Sequence, residues 1–132
     1  MKYFTIAELT ASATAKERGI DNTPSSSVKE NLTALVDNVL DPLRRVYGHP
    51  IRVTSGYRCC ELNSVVGGVS NSQHIIGEAA DITAGSVAAN RRLWQLIKQL
   101  DLPVDQVIDE RGLRWIHVSY SKSRCRRQFL RM

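Results

Sequence analysis

Cysteine is scarce. The chain has three, Cys59, Cys60 and Cys125, and no C-x-x-C pair, which leaves little basis for a cysteine zinc site. Cys59 and Cys60 are adjacent and the count is odd, so free thiols are expected. No apolar run approaches the roughly 18 residues of a membrane span, and no span is expected. Met1-Lys2-Tyr3-Phe4-Thr5 lacks the apolar core of a signal peptide. The expectation is a chain made in the cytoplasm and reaching any exterior target by another route. Internal repeats and low-complexity segments are lacking too. Acidic residues are missing from Val118 to Met132, where Lys122, Arg124, Arg126, Arg127 and Arg131 carry the whole formal excess of +5. A basic tail from about residue 121 on a neutral body is a solvated extension or an anion-attracting arm.

What is present suits one folded domain over residues 1–132, with 42% hydrophobic residues and length enough to bury a core. Thr5-Ile6-Ala7-Glu8 has capping-box form and opens a short helix. Ser12 to Arg18 reads as another, stopped by Gly19. Ser27-Val28-Lys29-Glu30 caps the longest periodic pattern. Val28, Leu32, Leu35, Val36, Val39, Leu43 and Val46 form its apolar stripe. Pro42 is expected to kink or break its last turns.

Ile51–Ser55 alternates as a strand. Residues 56–77 show no period and read as a long, functional loop. Ala79–Thr83 is a short strand. Ser86 caps a second amphipathic helix, with Val87, Leu93, Ile97 and Leu100 inward. Val104–Asp109 and Arg114–Tyr120 make a hairpin about Gly112. The fold class is α+β, a small antiparallel sheet with flanking helices.

Only three histidines occur. His49, between Gly48 and Pro50, reads as structural. His74 and Asp81 lie seven residues apart in Ser72-Gln73-His74-Ile75-Ile76-Gly77-Glu78-Ala79-Ala80-Asp81, and His117 follows in Trp115-Ile116-His117-Val118-Ser119. Catalytic zinc takes three protein ligands and keeps a position open, and imidazole with carboxylate suits it. His74, Asp81 and His117 are read as three ligands of one Zn2+, brought together by a loop turn at Gly77 and by the hairpin strand. With the hairpin turn at Gly112 and Leu113, Glu110 pairs with Trp115, and Ile108 lies opposite His117. Residues 108, 110, 115 and 117 then share one face. Glu110 becomes the candidate general base for the metal-bound water. A one-residue shift of the turn reverses this in favour of Asp109.

Ser55-Gly56-Tyr57-Arg58, Leu62-Asn63, Val66-Gly67-Gly68, the Ser72–Asp81 stretch and Trp115-Ile116-His117-Val118-Ser119 occur in that order. Together they resemble the zinc D-alanyl-D-alanine carboxypeptidases, the peptidoglycan DD-peptidases whose fold is shared with hedgehog domains. The N-terminal Tyr3–Leu9 and the long helix also resemble stand-alone members, often of phage or prophage. The resemblance implies zinc at His74, Asp81 and His117. It implies an Arg58 that holds the substrate carboxylate or stabilises the oxyanion, with Ser72 and Gln73 lining the same cleft. Better-known members carry their acidic base three residues before the last histidine, where this chain has Arg114, so Glu110 must serve from seven residues back. Cys59-Cys60 also departs from the expected pair after the arginine.

Three readings follow. The first is a zinc peptidase cutting peptidoglycan stem peptides, as a carboxypeptidase or an endolysin-type endopeptidase acting on the cell wall once released. The second is a non-catalytic zinc-binding module for cell-wall or protein recognition. A nucleic-acid binder is the third, resting only on tail charge with no recognition motif, and nucleic acid is not expected as a partner.

Overall fold

The computed structural model describes all 132 residues. Helices α1 (Ile6–Thr10), α2 (Ala13–Arg18) and α3 (Ser26–Leu35) open the chain. The Thr5 hydroxyl accepts from the Glu8 N–H at 3.1 Å, and Ser12 does the same for Ala15. Each side chain satisfies a donor that a helix start leaves unpaired. The cap of α3 is Ser25, which accepts from Val28 N–H. The expected Ser27 capping box lies two residues too late and falls inside the helix.

Pro42 does not break the long helix. A wide π turn, Val36–Leu40, joins α3 to α4 (Asp41–Tyr47). Asp41 N–H reaches back five residues to the Val36 carbonyl. Pro42 then falls in the first turn of α4, where no N–H is needed. The extra residue keeps the stripe turned inward, and Val36, Val39, Leu40 and Leu43 are all fully buried. Each contributes about 1.5–3 kcal/mol of hydrophobic stabilisation.

Strands β1 (Arg52–Ser55), β2 (Ala79–Thr83), β3 (Gln106–Glu110), β4 (Trp115–Ser119) and β5 (Gln128–Arg131) form one sheet in the order β1-β2-β4-β3-β5. The first four pair antiparallel, while β5 lies parallel to β3. The basic tail is thus part of the domain: Phe129 packs edge-on against Trp94 at 5.3 Å. On one sheet face Ile82, Val107, Ile116 and Val118 are fully buried in a core shared with Leu32, Leu35, Leu93 and Ile97. Alternation leaves Asp81, Ile108, Glu110 and His117 for the other face.

Two helices differ in detail from expectation. The loop after β1 contains α5 (Cys60–Val65), capped by Cys59 Sγ in place of the usual oxygen. In α6 (Val87–Gln99), Leu93 and Ile97 face inward as expected, but Val87 is 42% exposed. The buried contact at that end is made by Asn90, which donates to the Leu113 carbonyl at 2.9 Å and ties α6 to the β3–β4 turn. All three cysteines are free thiols.

Candidate metal centre

Strand pairing brings two of the candidate ligands together. Asp81 in β2 lies directly opposite His117 in β4, and cross-strand neighbours project to the same side. His117 Nδ1 lies 3.1 Å from Asp81 Oδ1. The third ligand arrives on the loop. Gly77 turns the chain at φ +77°, and a Cβ there would sit 2.9 Å from the Val28 carbonyl of α3, so only glycine fits. The turn presses the loop onto α3 and delivers His74, 3% exposed, over β2. His74 Nε2 lies 3.4 Å from the same Asp81 oxygen. The other ring nitrogen, Nδ1, is 2.6 Å from the Gly56 carbonyl. A carbonyl only accepts, so Nδ1 carries the proton and Nε2 turns its lone pair toward Asp81.

The ligand atoms of His74, Asp81 and His117 all lie within 4.8 Å of one another. Donors around a tetrahedral zinc with bonds of about 2.05 Å stand roughly 3.3 Å apart, close to the 3.1 and 3.4 Å spacings found. Two neutral imidazoles and one carboxylate are also a donor set that zinc accepts. Burial by itself raises the Asp81 pKa, but the contacts with His117 and His74, which would donate to the carboxylate whenever the rings are protonated, override it. The carboxyl is held well below the usual range. It stays anionic, as a metal ligand must.

A cleft of about 570 Å³ opens above the trio and includes Arg58, Ser72, Gln73, Glu110 and Trp115 in its walls. The hairpin register is the expected one: Ile108 faces His117 and Glu110 faces Trp115. Glu110 therefore looks into the cleft. Burial, then the charge of Asp81, pushes its pKa above the ordinary value. Asp109 points to the opposite side, where its Oδ1 accepts from Leu113 N–H at 2.6 Å and closes the turn.

Arg58 follows β1 and is anchored by its own N–H, which donates to the His74 carbonyl at 3.1 Å. Its Nη2 donates to Ser72 Oγ at 3.4 Å, while Nε is buried without a partner. An unpaired buried donor costs about 1–3 kcal/mol and is relieved by an incoming acceptor. Burial lowers the Arg58 pKa and Asp81 opposes the effect, yet a guanidinium remains protonated. Gln73 is committed, donating from Nε2 to Asp105 Oδ2 at 2.8 Å. Ser72 Oγ also accepts from the His74 N–H at 3.2 Å. Both residues brace the loop as well as line the cleft.

The cleft has a wall that the sequence did not announce. Arg124 and Arg126 line it, as does Gln106. Asp105, fully buried, receives Arg126 through Nε at 2.7 Å and Nη2 at 3.0 Å. The available signal was a carboxylate in the apolar run Leu102–Ile108, with its cationic partners some twenty residues on.

Residues 2–119 match the family model described as Peptidase M15. A 48-residue stretch is 50% identical to a protein of Streptomyces albus G named zinc D-Ala-D-Ala carboxypeptidase. That stretch covers 36% of this chain and 19% of that relative's length.

Proposed function

Because the chain belongs to the peptidase M15 family, we propose that it is a zinc metallopeptidase that hydrolyses peptide bonds in peptidoglycan stem peptides. The observation that carries the reading is the His74–Asp81–His117 cluster on the floor of a cleft that also holds Glu110 and Arg58. When bound there, zinc acts as a Lewis acid and brings the pKa of a coordinated water toward about 7.

The chain's own residues do the rest. Gly56 fixes the His74 tautomer, so the metal-facing nitrogen needs no proton loss before it binds. Glu110 takes the proton of the attacking water, and its raised pKa suits a group that must then give that proton to the leaving amine. Arg58 offers its unpaired Nε and its Nη groups to the substrate carboxylate or to the oxygen that gains charge in the transition state. Ser72, bonded to both Arg58 and the His74 backbone, holds metal site and guanidinium in one frame.

On this reading residues 1–132 work as one zinc peptidase domain. The enzyme acts on the cell wall once released, as a D-alanyl carboxypeptidase or an endolysin-type endopeptidase. Mass spectrometry of purified peptidoglycan digested with the zinc-loaded protein tests this. Loss of terminal D-alanine marks a carboxypeptidase, and fragments cut within stems or cross-links mark an endopeptidase. Both products must vanish with a chelator. Zinc bound at unit stoichiometry without any cut would sink the enzymatic reading and leave a zinc-binding module.

A further inference from the structure

The cleft's second wall lies beyond residue 119, where the family match ends. It is built from the segment between β4 and β5. Asp105 is the post on which it hangs. That carboxylate is 0% exposed and takes a two-pronged contact from Arg126, while Arg124 Nε stands 3.5 Å from its Oδ2. One carboxylate cannot neutralise two guanidiniums. Arg126 takes most of it. Arg124 keeps a side chain 53% exposed and, apart from that long contact, has no hydrogen-bond partner for its guanidinium. Glu78, half-buried, is the other acid whose charge reaches Arg124.

Arg58 approaches the cleft from the β1 edge of the sheet, and Arg124 arrives on the chain leading into β5 at the other edge. Between them the loop reaches both ways, with Ser72 bonded to Arg58 and Gln73 bonded to Asp105. The cleft that holds the metal trio is thus lined by two guanidiniums from different elements, Arg58 and Arg124. A wall of this kind attracts an anion and binds a planar carboxylate through the guanidinium fork.

We propose that Arg124, positioned by Asp105 and Arg126, is a specificity-determining residue that binds a second carboxylate of the substrate, so that the enzyme selects acidic stem peptides. The inference rests on the peptidase reading above and adds a subsite to it. Stem peptides carry internal carboxylates that occur in nature either free or amidated, and Arg124 reads that difference.

The test compares cleavage of one synthetic stem peptide with versions amidated at each non-terminal carboxylate in turn, by the zinc-loaded protein of residues 1–132. At one position, amidation is expected to lower kcat/KM about tenfold or more, mainly through KM, as loss of a charge-assisted hydrogen bond does. In Arg124→Ala the ratio at that position falls to about 1, and Arg124→Lys keeps part of it. Both variants change an exposed side chain, and circular dichroism checks their fold. No penalty at any position in the wild type, or a penalty that survives Arg124→Ala, overturns the proposal. If the wild type cuts none of the peptides, the hydrolase reading fails on its own. Calorimetric Kd values for wild type and Arg124→Ala then supply the same ratios, and a penalty that is missing or that survives the substitution again overturns the subsite.

Discussion

His74 Nδ1 lies 2.6 Å from the Gly56 carbonyl, and Gly56 has no room for a side chain of its own. A Cβ there would stand 2.1 Å from the Leu9 carbonyl oxygen. The N-terminal helix thus sets the position of a backbone group that sets the tautomer of a candidate metal ligand. Gly56→Ala is expected to push the 55–57 segment off α1 and misalign His74. Zinc affinity falls about 10–100-fold, the usual cost of losing such an outer hydrogen bond. Competition with a chromophoric chelator measures it; unchanged affinity would show that the carbonyl is dispensable.

Glu110 and Asp109 are neighbours that face opposite ways, one into the cleft and one onto the Leu113 N–H. Glu110→Gln keeps shape and should retain zinc while lowering kcat about 10²–10⁴-fold. Asp109→Asn weakens the cap on Leu113 N–H and should cost about 1 kcal/mol of stability with kcat little changed. Steady-state kinetics and urea unfolding on the two variants separate the roles. A large kcat loss in Asp109→Asn alone would reverse the assignment.

Asp105 gives the fold a pH dependence. Its burial opposes ionisation, but the hydrogen bonds from Arg126 and Gln73 win and hold its pKa below the ordinary value. A carboxyl lowered in the folded state stabilises above its unfolded pKa, about 3.9, and loses that contribution as pH falls through the folded value. The window therefore lies below about pH 4. Arg126 stays partly open to water, which screens the pair, so Asp105→Asn should cost about 1–2 kcal/mol at neutral pH. Urea unfolding at pH 7 and at pH 3 should show that cost shrinking in acid. A constant difference between wild type and variant would refute the linkage.

Zinc removal should lower the melting temperature as well as activity. A ligand that binds only the folded state adds about 2.7 kcal/mol at a hundredfold excess over Kd, several degrees for a chain of this length. Calorimetry with zinc and with chelator reads the shift. His74→Ala should abolish most of it, since two ligands remain.

The clustering of His74, Asp81 and His117 was legible because it rests on local rules. Asp81 and His117 lie on short alternating strands, and a turn centred on Gly112 and Leu113 aims Glu110 inward, whereas a one-residue slip would have aimed Asp109 there; the strands adopt the first register. Less of the long-range structure was legible. The cap at Ser25 and the π turn before Pro42 are choices between near-equal local solutions, decided by packing of Val36 and Leu40. Strand β5 was hidden because Arg126 and Arg127 make the tail look solvated. Distant partners make their folding-in favourable: the buried Asp105 takes Arg126, and the Leu102 carbonyl accepts from Arg127. Ion pairs between distant segments leave no periodic trace.

Gln73 and Arg126 grip the same Asp105 carboxylate, one from the loop that carries His74 and one from the segment that leads into β5. The two banks of the groove are therefore clasped beneath its floor. Moving the Arg126 bank outward would leave the buried Asp105 carboxylate without its guanidinium, which favours a fixed groove over a closing flap. The motion left to the site is a rarer event in which loop and edge strand come free together. Amide exchange at Glu78, Arg126 and Gln128, whose N–H groups bond to the Gln73 carbonyl and to Asp105, should then share one opening free energy, as members of a single cooperative unit do.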